Sequence, residues 1–191
     1  IVHQDTTTPM VAVNLLYDVG ARDENPEMTG FAHLFEHLMF GGSVNIPEYD
    51  TPLQMAGGEN NAYTTNDITN YYVQLPKQNI ETAFWLESDR LMSLAFSKKS
   101  LDVQRKVVCE EFKEHYINKP YGDAWKHLRA LAYTRHPYRW MTIGKELKHV
   151  EDAQLEDVKK FFFNKKEQEV TNPNKESISE SPSETDENQQ S

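Results

Sequence analysis

Ten consecutive residues, Phe31 to Phe40 (FAHLFEHLMF), are apolar except at His33, Glu36 and His37. The apolar positions recur at helical spacing and Gly41-Gly42 follows, so the pattern predicts a helix over Thr29–Phe40. A helix that is apolar over most of its surface must be buried. Its two histidines and its glutamate then need partners, because an unpaired polar group in an apolar interior costs roughly 2–7 kcal/mol.

The polar trio reads H-x-x-E-H. On a helix, His33 and His37 stand one turn apart, with Cβ atoms about 5–6 Å from one another. Two imidazoles so placed can reach one ion, with Zn–N bonds of about 2.0–2.1 Å. Glu36 flanks the same face and can touch a metal-bound water without displacing it. Zinc lowers that water's pKa toward ~7, and the carboxylate takes the proton. The order is that of the inverzincins, reversed from H-E-x-x-H. The plain alternative is a solvated polar face, and the apolar remainder of the helix speaks against it. A catalytic zinc with two histidines commonly adds a carboxylate and keeps one position for water. The predicted helix Leu101–Ile117 offers Glu110, Glu111 and Glu114. Glu110 and Glu114 share a face, as do Glu111 and Glu114, so periodicity does not choose among them. For each, a solvated helix glutamate is the competing reading.

Composition changes sharply near residue 164. From Asn164 to Ser191 there are no aromatics, and seven acids against three lysines give a net charge of −4. Such a segment buries too little apolar surface to offset chain entropy, so 164–191 is expected to be an acidic disordered tail beside a folded part at 1–163. Within the folded part, Met10–Tyr17 reads as a buried strand and Thr69–Leu75 as a second strand. Ala56–Asp67 reads as a loop rich in Gly, Asn and Thr. Helices are expected at Ile80–Phe96, Leu101–Ile117, Tyr121–Tyr133 and Gln154–Phe163. In the first of these, Ile80, Phe84, Trp85, Leu91, Leu94 and Ala95 can share an inward face. Phe96, Phe161, Phe162 and Phe163, with Phe84 and Trp85, sit at core spacing. Strands alternating with helices give an α/β or α+β domain.

The overall charge of −10 lacks the basic footprint that nucleic acid requires. No apolar run approaches the ~20 residues of a membrane span. Cys109 is the single cysteine, which excludes an internal disulfide, and its apolar neighbours mark it as an inert thiol. The chain starts at Ile1 rather than Met, so the native start is expected to be missing, and both periplasm and cytoplasm stay open as compartments. His115 and the remaining histidines His3, His127 and His149 are expected at the surface, with His136 in a structural or supporting role.

Four separated segments together resemble the pitrilysin, or insulinase-like, zinc peptidases. They are Gly20-Ala21-Arg22-Asp23-Glu24 leading through Gly30 and the metal helix to Gly41-Gly42; Gly57 to Thr64 with Asp67, Thr69 and Tyr71-Tyr72; Arg105 to Glu111; and His136-Pro137-Tyr138 with Gly144. They span roughly Val11 to Phe163 in family order. The resemblance implies an α+β fold, a mainly antiparallel sheet packed by helices on one face. It implies one Zn2+, held by His33, His37 and a glutamate about 75 residues after the second histidine, at the end of a motif like VVCEE. That position is Glu111. A supporting glutamate that relatives often carry seven residues earlier is Gln104 here, and a neutral amide orients a ligand without adding charge. Asn61 and Ala62 fall where relatives present an edge strand to the substrate backbone, which is peptide capture by β-augmentation.

The activity so implied is zinc-dependent endopeptidase cleavage of a peptide or unfolded protein, with Glu36 as the base. Resembling enzymes enclose substrate between this domain and a second homologous domain or subunit. Their pattern also continues into further strands where this chain has its acidic tail, so the sheet is expected to be incomplete. The competing class is a truncated or non-catalytic peptide-binding subunit of a two-part processing peptidase; the intact H-x-x-E-H speaks against it. A purely structural metal site has no use for Glu36.

Overall fold

A computed structural model describes residues 1–170, the last seven of them by backbone alone. It is a mixed α+β fold around a three-stranded antiparallel sheet. The strands are β1 (Met10–Tyr17), β2 (Glu59–Thr64) and β3 (Thr69–Pro76), in the order β1-β3-β2. β3 takes the centre because both of its faces carry β-branched or aromatic residues. Its register sets Val73 opposite Val13 of β1 and Asn60 of β2, and Tyr71 opposite Leu15 and Ala62.

Side chains alternate between the faces of a sheet. Val11, Val13, Leu15 and Tyr17 turn toward the helices, while Met10, Ala12, Asn14 and Leu16 turn outward. β1 is therefore half-buried, where the sequence suggested a buried strand. A second correction concerns β2. Its Gly, Asn and Thr content suggested a loop, yet six residues pair with β3. Pairing with a strong central strand overrides weak β propensity.

The helices are α1 (Phe31–Met39), α2 (Asp50–Met55), α3 (Ile80–Ser93), α4 (Lys98–Phe112), α5 (Ala124–Ala132), α6 (Leu147–Glu151) and α7 (Leu155–Val170). α4 passes into a π-helical turn at Lys113–Ile117. The main core joins α1 to α4: Phe31, Leu34 and Leu38 meet Leu101, Val108 and Phe112, with Ile143, Val150 and Val158 closing the cluster. Full burial of one such side chain is worth about 1.5–3 kcal/mol, so several in one contact fix the mutual position of the two helices. Phe162 of α7 stacks on Phe35 at 4.9 Å between ring centres. A second cluster sets Leu53, Ala83 and Leu86 against Val73 and Leu75.

The inward face of α3 differs from the expected one. Phe84, Trp85 and Leu91 are exposed, and Ala83, Leu86, Glu87 and Arg90 are buried. Arg90 lies between the rings of Tyr49 and Tyr71, 4.6 and 4.8 Å from their centres, and pairs with Glu87, which also accepts the Tyr49 hydroxyl. This polar cluster turns the helix, because a buried guanidinium with a carboxylate and two aromatic faces is compensated where an unpaired one is not. The region expected as a tail from residue 164 begins inside α7, whose helical backbone runs to Val170; residues 171–191 lie outside the described residues.

Candidate metal centre

α1 delivers His33 and His37 to one side, and their rings stand edge to face with centres 4.7 Å apart. α4 crosses that side and presents Glu111. Nε2 of His33 is 3.8 Å from one Glu111 oxygen, and Nε2 of His37 is 3.3 Å from the other. Two ligand atoms at about 2.05 Å from a tetrahedral ion stand roughly 3.4 Å apart, so these separations match three corners around one zinc. The three ligand atoms lie within 4.8 Å of one another, the one such group of His, Cys, Asp and Glu among the described residues.

Protonation suits ligation. Burial pushes His33 down to about 4, with the neighbouring His37 adding to the effect, so its imidazole is neutral at pH 7 and has a lone pair to give. The His37 hydrogen bond holds the Glu111 carboxyl below its usual range, which keeps it anionic. His33 Nδ1 is buried without a hydrogen-bond partner among the described residues. A proton on Nδ1 leaves Nε2 as the ring's acceptor, aimed at Glu111. Donor types, spacing and charge fit a divalent ion of the zinc kind. His37 and Glu111 keep 24% and 34% of their side-chain surface, so the cluster is reachable from solvent.

Glu36 sits beside this group. Its carboxylate accepts a hydrogen bond from the Thr64 hydroxyl, and burial raises its pKa above the ordinary carboxylate value. A carboxylate raised toward neutrality is a better proton acceptor from an acidified water than an ordinary one. The other α4 acids stand apart. Glu110 points to solvent and pairs with Lys113 at 2.7 Å, and Glu114 lies exposed in the π-helical turn. Gln104 is half-buried two turns before Glu111 and outside the cluster.

Asn61 and Ala62 lie in β2, an edge strand paired on one side only. The Asn61 side chain accepts from the Ala62 N–H at 2.8 Å. His115 is exposed, one turn beyond Glu111. His136 Nδ1 accepts the Tyr138 N–H and caps a short 3-10 turn. His149, expected free at the surface, is half-buried and meets the Thr29 hydroxyl at 2.9 Å. Cys109 is free and buried, and burial pushes its thiol up.

Glu24 carried no expectation, yet it holds the start of the metal helix. It is 6% exposed and accepts the N–H groups of Gly30 and Ala32, each at 2.9 Å. These are donors that the first turn of α1 leaves unpaired. Its partners are six and eight residues away, beyond any capping-box spacing, so no single-sequence signal reveals the contact.

Burial pushes Glu24 up to about 8, against the pull of its backbone hydrogen bonds. The folded state therefore holds a proton that the unfolded chain, with a value near 4.5, gives up. This contribution to stability is full below pH 4.5 and is lost as the pH rises through about 8. Melting curves across that window should show the wild-type Tm falling with pH. Glu24→Gln, which cannot titrate, should start lower and stay flatter; parallel profiles would remove the assignment.

The insulinase model, peptidase family M16, matches residues 1–146. A zinc protease PqqE of Helicobacter pylori is 33% identical over 159 residues, covering 82% of this chain and 36% of the relative. A crystal structure of a protease from Helicobacter pylori superposes with a TM-score of 0.76 at 33% identity, over 81% of this chain and 38% of that one. Pitrilysin shares the fold, with a TM-score of 0.70 at 22% identity over 82% and 17% of the two chains. This chain thus spans about a third of the curated relative it matches.

Proposed function

The chain belongs to the insulinase family of peptidases, family M16, and from that premise we propose that residues 1–163 are the zinc-bearing part of a metalloendopeptidase. One observation carries the reading: two imidazoles one helical turn apart face the two oxygens of one carboxylate, with a second, raised carboxylate beside them. His33, His37 and Glu111 hold the ion. When bound, zinc polarises the scissile carbonyl and acidifies water toward a pKa of ~7. Glu36 takes the proton of the attacking water and returns it to the leaving amine. The free edge of β2 at Asn61 and Ala62 lines up a peptide backbone as an added strand. Such a peptide takes over the Ala62 N–H that Asn61 now holds.

The chain spans 36% of its Helicobacter pylori relative, so a second homologous domain or subunit is proposed to complete the substrate chamber. The alternative is a truncated or non-catalytic peptide-binding subunit of a two-part processing peptidase. Among the described residues no helix is long and apolar enough to cross a membrane.

A quenched peptide incubated with the chain, alone and with a second-domain partner, separates the two. The peptidase reading expects turnover that a chelator abolishes and zinc restores. Bound zinc with no turnover in any combination would favour the binding subunit. Glu111→Ala should drop the metal content from one zinc per chain toward none when measured against a competing chelator, because two imidazoles remain where a catalytic site needs three protein ligands. Unchanged zinc affinity would remove Glu111 from the ligand set.

A further inference from the structure

Several of the family-like segments do not touch the metal cluster. Gly20 to Arg22, Arg129 and Tyr138 lie on three different stretches of chain, yet all converge on one turn, residues 65–68 between β2 and β3, which carries Asp67. The turn closes on itself through Thr65 N–H to the Ile68 carbonyl at 2.8 Å, and the Thr65 hydroxyl accepts the N–H groups of Asp67 and Ile68. Ala21 and Arg22 donate their N–H groups to the carbonyls of Thr65 and Asn66 at 3.1 and 2.8 Å. Gly20 passes so close that a Cβ there would stand 2.6 Å from the Asn66 backbone. Arg129 donates to the Asn66 side chain at 2.9 Å. Asp67 receives Arg22 at 3.0 Å, and the Tyr138 hydroxyl lies 2.6 and 2.7 Å from its two oxygens.

A surface hairpin needs no such anchoring, since a two-strand turn is held by its own register. The residue that the anchoring fixes is Thr64, the last of β2, and Thr64 reaches Glu36. Its hydroxyl donates to Oε2. The one other hydroxyl in range, Thr69 Oγ1 at 3.5 Å, gives its own proton to the Val19 carbonyl at 2.9 Å. A deprotonated Glu36 has no proton to offer, so Thr64 is the donor. Among the described residues Oε1 has no such donor.

We infer that Thr64, mounted on the anchored turn, is a positioning residue that reserves Oε1 of Glu36 for the proton of the attacking water. This deepens the peptidase reading and rests on it. With Oε2 occupied by a donor, the carboxylate is held in one orientation, and the proton it takes up is left to Oε1. No bond to Thr64 is made or broken.

The test uses the zinc-loaded chain with Thr64→Val, which keeps the shape and removes the hydroxyl, and Thr64→Ser, which restores it. Losing a group that orients a site residue typically lowers activity about 10–100-fold. The valine variant should show that loss in kcat with KM and zinc content unchanged, and the serine variant should recover most of it. On a Glu36→Gln background the valine should add nothing. Equal kcat for wild type and valine, or a serine variant as poor as the valine one, overturns the inference; the second outcome marks a packing role. Acetohydroxamate binding gives a readout without turnover, because this probe takes the zinc and donates its hydroxyl proton in a hydrogen bond to the base. Its affinity should fall about tenfold in the valine variant and return in the serine one. If the wild type binds the hydroxamate in this pattern yet cleaves no peptide, the peptidase reading fails, and what stands is that Thr64 orients Glu36, without the role in water attack. If affinity ignores position 64, the positioning role fails by itself.

Discussion

Glu36→Gln will leave zinc bound and lower peptide turnover by about 10²–10⁴-fold, the usual contribution of a positioned general base. Metal retention is expected because the three ligand atoms belong to His33, His37 and Glu111, and Glu36 is not among them. The amide is nearly isosteric with the carboxylate, and its oxygen can still accept from Thr64, so packing around α1 is undisturbed. Lost is the one acceptor that can hold a proton. Zinc stoichiometry by metal analysis and kcat/KM on a quenched peptide, both on the same preparation, read the two halves of the claim. Turnover within threefold of wild type would show that another group accepts the proton. Loss of zinc would show that Glu36 supports the metal, and the roles would need to be redistributed along α1.

How much of this could be read from the sequence depends on where each interaction's partner lies. His33, Glu36 and His37 are within one helical turn of each other, and local periodicity places them on one face before any fold is known. Glu110, Glu111 and Glu114 could not be separated by periodicity, because the phase of α4 toward α1 is set by Leu101, Val108 and Phe112 packing on Phe31, Leu34 and Leu38. Only after that contact forms does Glu111 face the histidines while Glu110 faces water. The family resemblance supplied Glu111 earlier, as an association. β2 was hidden for a related reason: Glu59 to Thr64 has little strand propensity of its own and becomes a strand by pairing with β3. α3 misled in the opposite sense. Its aromatics suggested the inward face, but Arg90 pairs with Glu87 between Tyr49 and Tyr71, and that polar cluster outcompeted Phe84 and Trp85 for burial. Glu24 and Thr64 were invisible as contacts because Glu24 meets α1 across six and eight residues, outside any capping spacing, and Thr64 meets it from a separate strand.

The second large effect concerns Gly30, which ties the start of the metal helix to the loop before α6. Gly30 has φ +89, a left-handed conformation, and its carbonyl accepts the Leu34 N–H that opens α1. A Cβ there would stand 2.5 Å from the Ile143 carbonyl oxygen and 2.9 Å from a Val150 methyl. The first neighbour is backbone and cannot rotate away. Gly30→Ala therefore combines left-handed strain of about 1–2 kcal/mol with overpacking of about 1–3 kcal/mol. A chain of this size loses about 2–4 °C in Tm per kcal/mol, so a drop of roughly 5–20 °C is expected. Zinc affinity should fall with it, because His33 lies three residues into the displaced helix. Gly57→Ala is the control that separates the two causes. Gly57 also has positive φ, at +73, but its added Cβ would meet only Pro76 ring atoms at 3.5 and 3.6 Å, ordinary contact distances. That variant should show the strain alone, a smaller Tm loss, with zinc affinity untouched. Equal losses at the two positions would mean that backbone conformation accounts for both, and that close packing of Gly30 on Ile143 does not hold the metal helix in place.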